Sequence, residues 1–254
     1  MNPQKTTGVI LAAGLGSRLL AHTATIPKAM QDLHGETIIR RAIAWMRYLG
    51  IVRIVVVTGY LHDKLEQHIA GFDSNVITVV NNEYANTQRM VSLLRAEEYI
   101  QGALLVQDGD YFYHRDIADE VLRTNYDLVT VHATSKQSTY CVQDVIAKTD
   151  ASLNLLDLHK TVGTAHLQAQ EYYFNSMLFC PVDQVQAFLT VGKEIVNELG
   201  YGKVHIEDAV LAYAKQRDPV NVHVFDEPKW VEIDTPEELE AARRFILDYP
   251  SSVI

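Results

Sequence analysis

Residues 8–30 read GVILAAGLGSRLLAHTATIPKAM. An apolar run carrying Val9, Ile10 and Leu11 breaks after Ala12 and Ala13 into Gly14 and Gly16. Arg18 follows at once, and a Pro-Lys pair stands at 27–28. A continuous aliphatic run suits a strand buried on both faces, as in a parallel sheet covered by helices. Ligands of such sheets bind beyond the carboxyl ends of the strands, so the turn after a first strand favours a phosphate. Gly14 and Gly16 lack a Cβ and let backbone N–H groups approach an anion closely. Arg18 offers its oxygens a planar fork and Lys28 a point charge. A tight turn with solvent-facing cations accounts for the same residues with less chemistry. A dinucleotide-binding loop fits less well. Leu19 stands where the third glycine belongs, and the acidic residue about 20 positions on is missing, because Ile38 and Ile39 fall in a helical pattern.

The rest of the first half repeats this logic. Residues 51–57 (IVRIVVV), 76–80 (VITVV), 103–106 (ALLV) and 127–132 (DLVTVH) are predicted strands. Between them lie helical spacings: Ile38, Ile39, Ala42, Ile43, Met46 and Leu49 up to Gly50; Leu61, Leu65 and Ile69 up to Gly71; and Met90, Leu93, Leu94 and Glu97. Alternating strands and helices imply right-handed crossovers and a mainly parallel sheet. After about residue 133 the rhythm changes. STYCVQDVIAKTD (138–150), SLNLLDL (152–158) and EYYFNSMLFC (171–180) read as extended segments of an antiparallel excursion. Helices are predicted at 182–199 and 206–216, a strand at 220–225, and a last helix from Pro236. No Pro/Gly/Ser-rich linker interrupts the chain. The expected architecture is α/β: a mainly parallel, mixed Rossmann-like sheet flanked by helices, residues 1–254 forming one domain, with a β-rich lobe at about 133–205.

Charge and composition narrow the function classes. The 254 residues carry 32 acidic and 22 basic side chains, a formal net charge of −10, which disfavours nonspecific binding to nucleic acid or an anionic membrane. An acidic chain that handles an anion must gather positive charge locally. No apolar segment approaches the roughly 18–20 residues of a membrane span, and residues 1–9 lack a secretion-signal core. The expected location is the cytoplasm. Cys141 and Cys180 form no metal or redox motif and read as small hydrophobes.

Two acidic stretches stand out. LLVQDGDYFY (104–113) ends a predicted strand in Asp108 and Asp110. Carboxylates at that end of a sheet can hold Mg²⁺ against a triphosphate, although a solvated Asp-Gly turn is an equal account. In WVEIDTPEELEAA (230–242), Thr235 is a natural N-cap, Pro236 suits the first helical position, and Glu238 completes a capping box. That leaves Glu232 and Asp234 without a structural reason.

Together these stretches resemble one family. LAAGLGSRL…PKAM is similar to the Leu-Ala-Ala-Gly-x-Gly-[Ser/Thr]-Arg … Pro-Lys signature of GT-A-like nucleotidyltransferases, above all the phosphocholine and aminoalkylphosphonate cytidylyltransferases. LGIVRIVVVTGYLHDKLEQHI (49–69), NNEYANTQRMVSLLRA (81–96), LLVQDGDYFY and WVEIDTPEELEAA extend the resemblance along the chain, most thinly over about 133–205. It implies the GT-A-like nucleotidyltransferase fold and transfer of CMP from CTP to a small phosphate or phosphonate acceptor, with pyrophosphate released. Arg18 and Lys28 would be catalytic. Leu11, Ala12, Ala13, Gly14, Gly16, Ser17, Asn81, Arg89, Ser92 and Asp108 would face the nucleotide. Asp110 and Asp234 would hold Mg²⁺.

The acceptor is less defined. KVHIEDAVLAYA (203–214) resembles the acidic helix start that lies beside the acceptor in phosphocholine enzymes, giving Glu207 and Asp208 as acceptor residues. The same acids equally suit a helix dipole. Ile206 stands where that family shows an aromatic, which weakens a choline reading; a cationic head needs an aromatic cage. Tyr111, Tyr173 and Trp230 are the candidate aromatics, with Tyr140 and Tyr172 behind them, and His159 or Lys160 is a further candidate for an acceptor phosphate. Alternatives are a sugar-1-phosphate nucleotidyltransferase using another triphosphate and a non-catalytic nucleotide-binding relative. A glycosyltransferase would account for Asp108-Gly109-Asp110 but not for the glycine loop. The partners expected are a nucleoside triphosphate and a small acceptor, with neither nucleic acid nor membrane, and with room for a homo-oligomer.

Overall fold

A computed structural model describes residues 1–142, 145–161 and 166–250. The chain enters through β1 (Thr6–Leu11), entirely buried, and leaves it into the glycine loop. A small hairpin, β2 (Asp32–Leu33) and β3 (Glu36–Thr37), leads into α1 (Ile38–Tyr48), whose N-cap Thr37 accepts a bond from the Arg40 amide. Strand and helix then alternate as β4 (Arg53–Thr58), α2 (His62–Phe72), β5 (Ile77–Val80), α3 (Arg89–Arg95) and β6 (Ala103–Asp108). Helix α2 runs one residue past Gly71, and Glu97 falls in a separate 3₁₀ turn rather than in α3.

Next come β7 (Tyr111–Tyr113) and α4 (Arg115–Arg123). Helix α4 is not among the elements the sequence predicts, because its buried residues Ile117, Ala118 and Val121 are too few to stand out among its charges. The β-rich stretch follows: β8 (Thr130–Thr134), β9 (Val145–Thr149), β10 (Leu155–Lys160) and the ten-residue β11 (Glu171–Cys180). Of the extended segment expected at 138–150, only β9 is strand, and Gln143 and Asp144 lie outside the described residues. The chain closes with α5 (Val185–Leu199), α6 (Ile206–Gln216), β12 (Asn221–Phe225), β13 (Trp230–Glu232) and α7 (Pro236–Asp248).

One nine-stranded sheet joins these elements among the described residues. Its core is parallel: β1 pairs with β4 and β6, and β4 with β5. Beyond β6 it turns antiparallel through β11, which also pairs with β8 and β9, while β12 runs parallel to β8. The sheet is therefore mixed, as expected. Alternation along β1 sends Val9 and Leu11 to one face, against Met90, Leu93 and Phe188, and Ile10 to the other, against Ile39, Trp45 and Leu65. Burial on both faces explains why these strands are continuously apolar. Separately, β7 and β13 form a two-stranded antiparallel ribbon packed on α7. No described helix is long and apolar enough to cross a membrane.

Candidate active site

The carboxyl ends of β1 and β6 lie side by side: Leu11 pairs with Asp108, and the Gly109 amide donates to the Leu11 carbonyl at 2.8 Å. Past β1 the chain turns at Gly16, which has a φ of +62°. A Cβ there would lie 2.8 Å from the Lys28 Cβ, so the position needs glycine both for its backbone angle and for its contact with that lysine stem. A Cβ on Gly14 would meet nothing, which leaves the mouth of the loop open.

The ribbon of β7 and β13 brings the distant acidic stretches together. Tyr111 pairs with Glu232, and the Ile233 amide donates to the Asp110 carbonyl at 3.1 Å. Asp234 follows, just before α7. The Thr235 hydroxyl accepts from the Glu238 amide, and Glu238 Oε2 accepts the amides of Asp234 and Thr235 at 2.9 and 3.0 Å. The capping box read from the sequence thus also fixes the backbone of Asp234.

Lys28 reaches into this junction. Its Nζ lies 2.7 Å from Asp110 Oδ2 and 2.5 Å from Asp234 Oδ1, and Arg18 pairs with the other oxygen of Asp234 at 2.5 Å. Burial by itself would lower the Lys28 pKa, but the charges of Asp110 and Asp234 outweigh it and hold the ammonium above its ordinary range. Carboxylate oxygens of Asp110, Glu232 and Asp234 lie within 4.8 Å of one another. Asp110 Oδ1 is buried with no protein partner. An orphaned carboxylate oxygen beside two further carboxylates is the donor set a hard divalent cation takes, so these three residues fit a metal such as Mg²⁺. Burial, then the charges of Asp110 and Asp234, push the Glu232 carboxyl well above the usual carboxylate range, while Tyr111 donates to it at 3.0 Å.

A second charge cluster stands beside the first. Arg89, the first residue of α3, pairs with both Asp108 and Glu207 and donates to Ser176 Oγ at 3.2 Å. Burial opposes charge on Arg89, but the two carboxylates prevail and hold it protonated. Burial lifts Asp108 to about 6 despite Arg89. Glu207 is held low because Arg89 overcomes its burial. Ser176 sits at a register shift of β11 between Asn175 and Leu178, a bulge that re-aims side chains toward a site.

These groups line two adjoining cavities of about 530 and 380 Å³, which share Leu11, Gly14, Arg18, Asp110 and Asp234. Ala12, Gly16, Ser17 and Lys28 line the smaller. Arg89, Asp108, Tyr111, Glu207, Asp208 and Trp230 line the larger. Among the candidates read from the sequence, Ala13, Asn81, Ser92, Tyr140, Tyr172 and Tyr173 line neither, while His159 and Lys160 line the larger. Asn81 is fully buried and donates to Ser92 Oγ at 3.1 Å and Thr87 Oγ1 at 2.9 Å, pinning the turn after β5 to α3. Asp208 is engaged as a cap, accepting the His205 amide at 2.7 Å. Glu232, Ser176, Gln88 and His205 also line these cavities without a role predicted from the sequence; of the four only Glu232 carries a sequence signal, as an acid the capping box leaves over. A larger cavity, about 850 Å³, opens at the opposite, amino-terminal ends of β1, β4, β5 and β6, and no acidic residue lines it.

Residues 8–187 match the model of the MobA-like NTP transferase domain. Over 245 residues the chain is 25% identical to the 2-aminoethylphosphonate cytidylyltransferase of Lancefieldella rimae, covering 94% of this chain and 93% of that one. Over 109 residues, 43% of this chain, it is 33% identical to the choline-phosphate cytidylyltransferase of Haemophilus influenzae, a stretch spanning only 46% of that relative. In structure it superposes on the CTP:phosphocholine cytidylyltransferase of Streptococcus pneumoniae with a TM-score of 0.77 at 19% identity, over 95% of this chain and 99% of that one. The inositol-1-phosphate CTP transferase of T. maritima matches with the same TM-score at 14% identity, over 96% and 97% of the two chains. The chain belongs to the MobA-like NTP transferase family and is a nucleotidyltransferase.

Proposed function

We propose that this family member transfers CMP from CTP to a small phosphate or phosphonate acceptor and releases pyrophosphate. The observation that carries the reading is the meeting of Lys28 with both Asp110 and Asp234 at the mouth of the glycine loop. It gathers cations for a phosphate chain and carboxylates for a metal in one crevice. The choice of CTP draws on the cytidylyltransferases among its relatives.

An acceptor oxygen attacks the α-phosphorus; a new P–O bond forms as the bond to the bridging oxygen of the β-phosphate breaks, and pyrophosphate carries away the electron pair. A phosphate monoester is already largely ionised near neutrality, with a second pKa of about 6, so no strong general base is needed. Catalysis rests on position and charge. The loop from Leu11 to Ser17 receives the triphosphate, Arg18 holds its β- and γ-phosphates, and Lys28 offsets charge on the transferred and departing groups. Mg²⁺, held by Asp110 and Asp234 with Glu232 beside them, supplies further charge neutralisation when bound. Arg89 braces Asp108 against Glu207 and so fixes the wall between the nucleotide and acceptor sides. Glu207, Tyr111 and Trp230 line the larger cavity, where the acceptor enters.

Pyrophosphate release tests the reading, with four nucleoside triphosphates crossed against phosphocholine, 2-aminoethylphosphonate, inositol 1-phosphate and sugar 1-phosphates. Release with CTP and one of the first three supports it. Release only with another triphosphate and a sugar 1-phosphate overturns it.

A further inference from the structure

A positive charge of the protein's own already stands between two of the carboxylates that fit a divalent cation. Lys28 Nζ is within 2.7 Å of Asp110 and 2.5 Å of Asp234. Its side chain is only 11% exposed. We infer that Lys28 is a resident counter-ion that closes the Asp110–Glu232–Asp234 cluster to free divalent cation, so that the metal is loaded only with a phosphate chain that draws the ammonium away.

Two features argue for displacement rather than coexistence. The cluster's carboxylate oxygens lie within 4.8 Å of one another, so a cation among them would stand within a few ångströms of the ammonium. At about 4 Å, unlike charges attract and like charges repel several-fold more strongly at a protein site than in bulk water. The ammonium also has another place to go. The smaller cavity is lined by Gly14, Gly16 and Ser17 as well as by Lys28, Asp110 and Asp234, so phosphate oxygens entering the loop would offer it partners in the same space. The stem can follow them: lysine is a flexible point charge, and it lies directly along the backbone of Gly16. Arg18 is a different case. It pairs with one oxygen of Asp234 alone, and its side chain is 67% exposed, so it neutralises the cluster from outside without filling it.

The inference rests on reading this cluster as the metal site of the transfer reaction. Its test needs no turnover. Mn²⁺ is titrated into the nucleotide-free chain, and the unbound ion is followed by electron paramagnetic resonance. The expected result is millimolar binding or weaker by the wild-type chain, a gain of at least tenfold in Lys28→Met, and a gain of less than threefold in Arg18→Gln. Circular dichroism melts confirm that each variant folds. Should Lys28→Met fail to fold, Lys28→Gln carries the same test, and Lys28→Arg, which keeps a cation, must show no gain. Equal Mn²⁺ affinity in wild type and Lys28→Met overturns the inference, as does an Arg18→Gln gain equal to that of Lys28→Met, which would reduce the effect to bulk charge. If neither chain binds the ion, the counter-ion role is likewise overturned. The transfer reading then stands or falls separately on pyrophosphate release.

Discussion

Lys28 and Asp234 are 206 residues apart in sequence and 2.5 Å apart in the fold. The contact joins the loop after β1 to the start of α7, and the β7–β13 ribbon adds Asp110 to it. Residues from the two ends of the chain therefore form one charge network.

Removing that lysine should impair chemistry more than binding. Lys28→Met is expected to lower kcat by about 10²–10³-fold, the range for loss of one preorganised group facing transition-state charge. The KM for nucleotide should change much less, because Arg18 and the glycine loop remain. Steady-state kinetics with saturating acceptor separate the two parameters, and a KM effect alone would remove Lys28 from the chemical step.

Glu238 acts on the site only through backbone. Its carboxylate accepts the amides of Asp234 and Thr235, so Glu238→Ala should lose about 1 kcal/mol of stability as a cap and lower kcat by misplacing Asp234. Glu238→Gln keeps an acceptor and should restore most of both. Urea melts and turnover measured on the same two variants check this.

The Arg89 bridge should be the costlier one to break. Arg89→Gln leaves Asp108 and Glu207 lining the cavity without their cation, a loss of about 2 kcal/mol, the range for charge-assisted bonds that are only partly buried. A double-mutant cycle with Glu207→Gln should recover part of it, since the second change removes one stranded charge. Strict additivity in denaturant melts would show that the pair is not coupled.

Acid should destabilise the fold through His132. It is fully buried; its Nδ1–H donates to the Met177 carbonyl at 3.0 Å, and its Nε2 accepts from the Tyr126 hydroxyl at 2.9 Å. Burial, aided by nearby His223, pushes its pKa down from 6.5 to about 3. The unfolded chain therefore takes up a proton that the folded chain refuses. The stability this group contributes is complete above pH 6.5 and declines as pH falls toward 3, at most by about 1.4 kcal/mol per pH unit. Denaturant melts at pH 7.5, 6 and 5 should show the decline, and His132→Gln should flatten it by about one proton.

The centre of the parallel half was legible because β1, β4 and β6 are buried on both faces and therefore read as apolar runs. Helix α4 was not, because only Ile117, Ala118 and Val121 mark its buried side. The capping box at Thr235 and Glu238 was legible as local chemistry, yet its second task, holding the Asp234 amide, depends on where β13 pairs. Glu232 and Ser176 show the same limit. One owes its place to a cross-strand partner, Tyr111, and the other to a bulge in β11, and neither relationship leaves a mark at a fixed spacing. Asn81 and Ser92 illustrate the converse: polar residues near a predicted ligand loop that satisfy one another.

Attack at the α-phosphorus of CTP is read most directly by ³¹P nuclear magnetic resonance of a reaction with CTP, Mg²⁺ and 2-aminoethylphosphonate or phosphocholine. The expected result is two mutually coupled resonances from a new anhydride joining CMP to the acceptor, growing in step with pyrophosphate. Accumulation of CDP with orthophosphate, or of CMP without a coupled product, would contradict it.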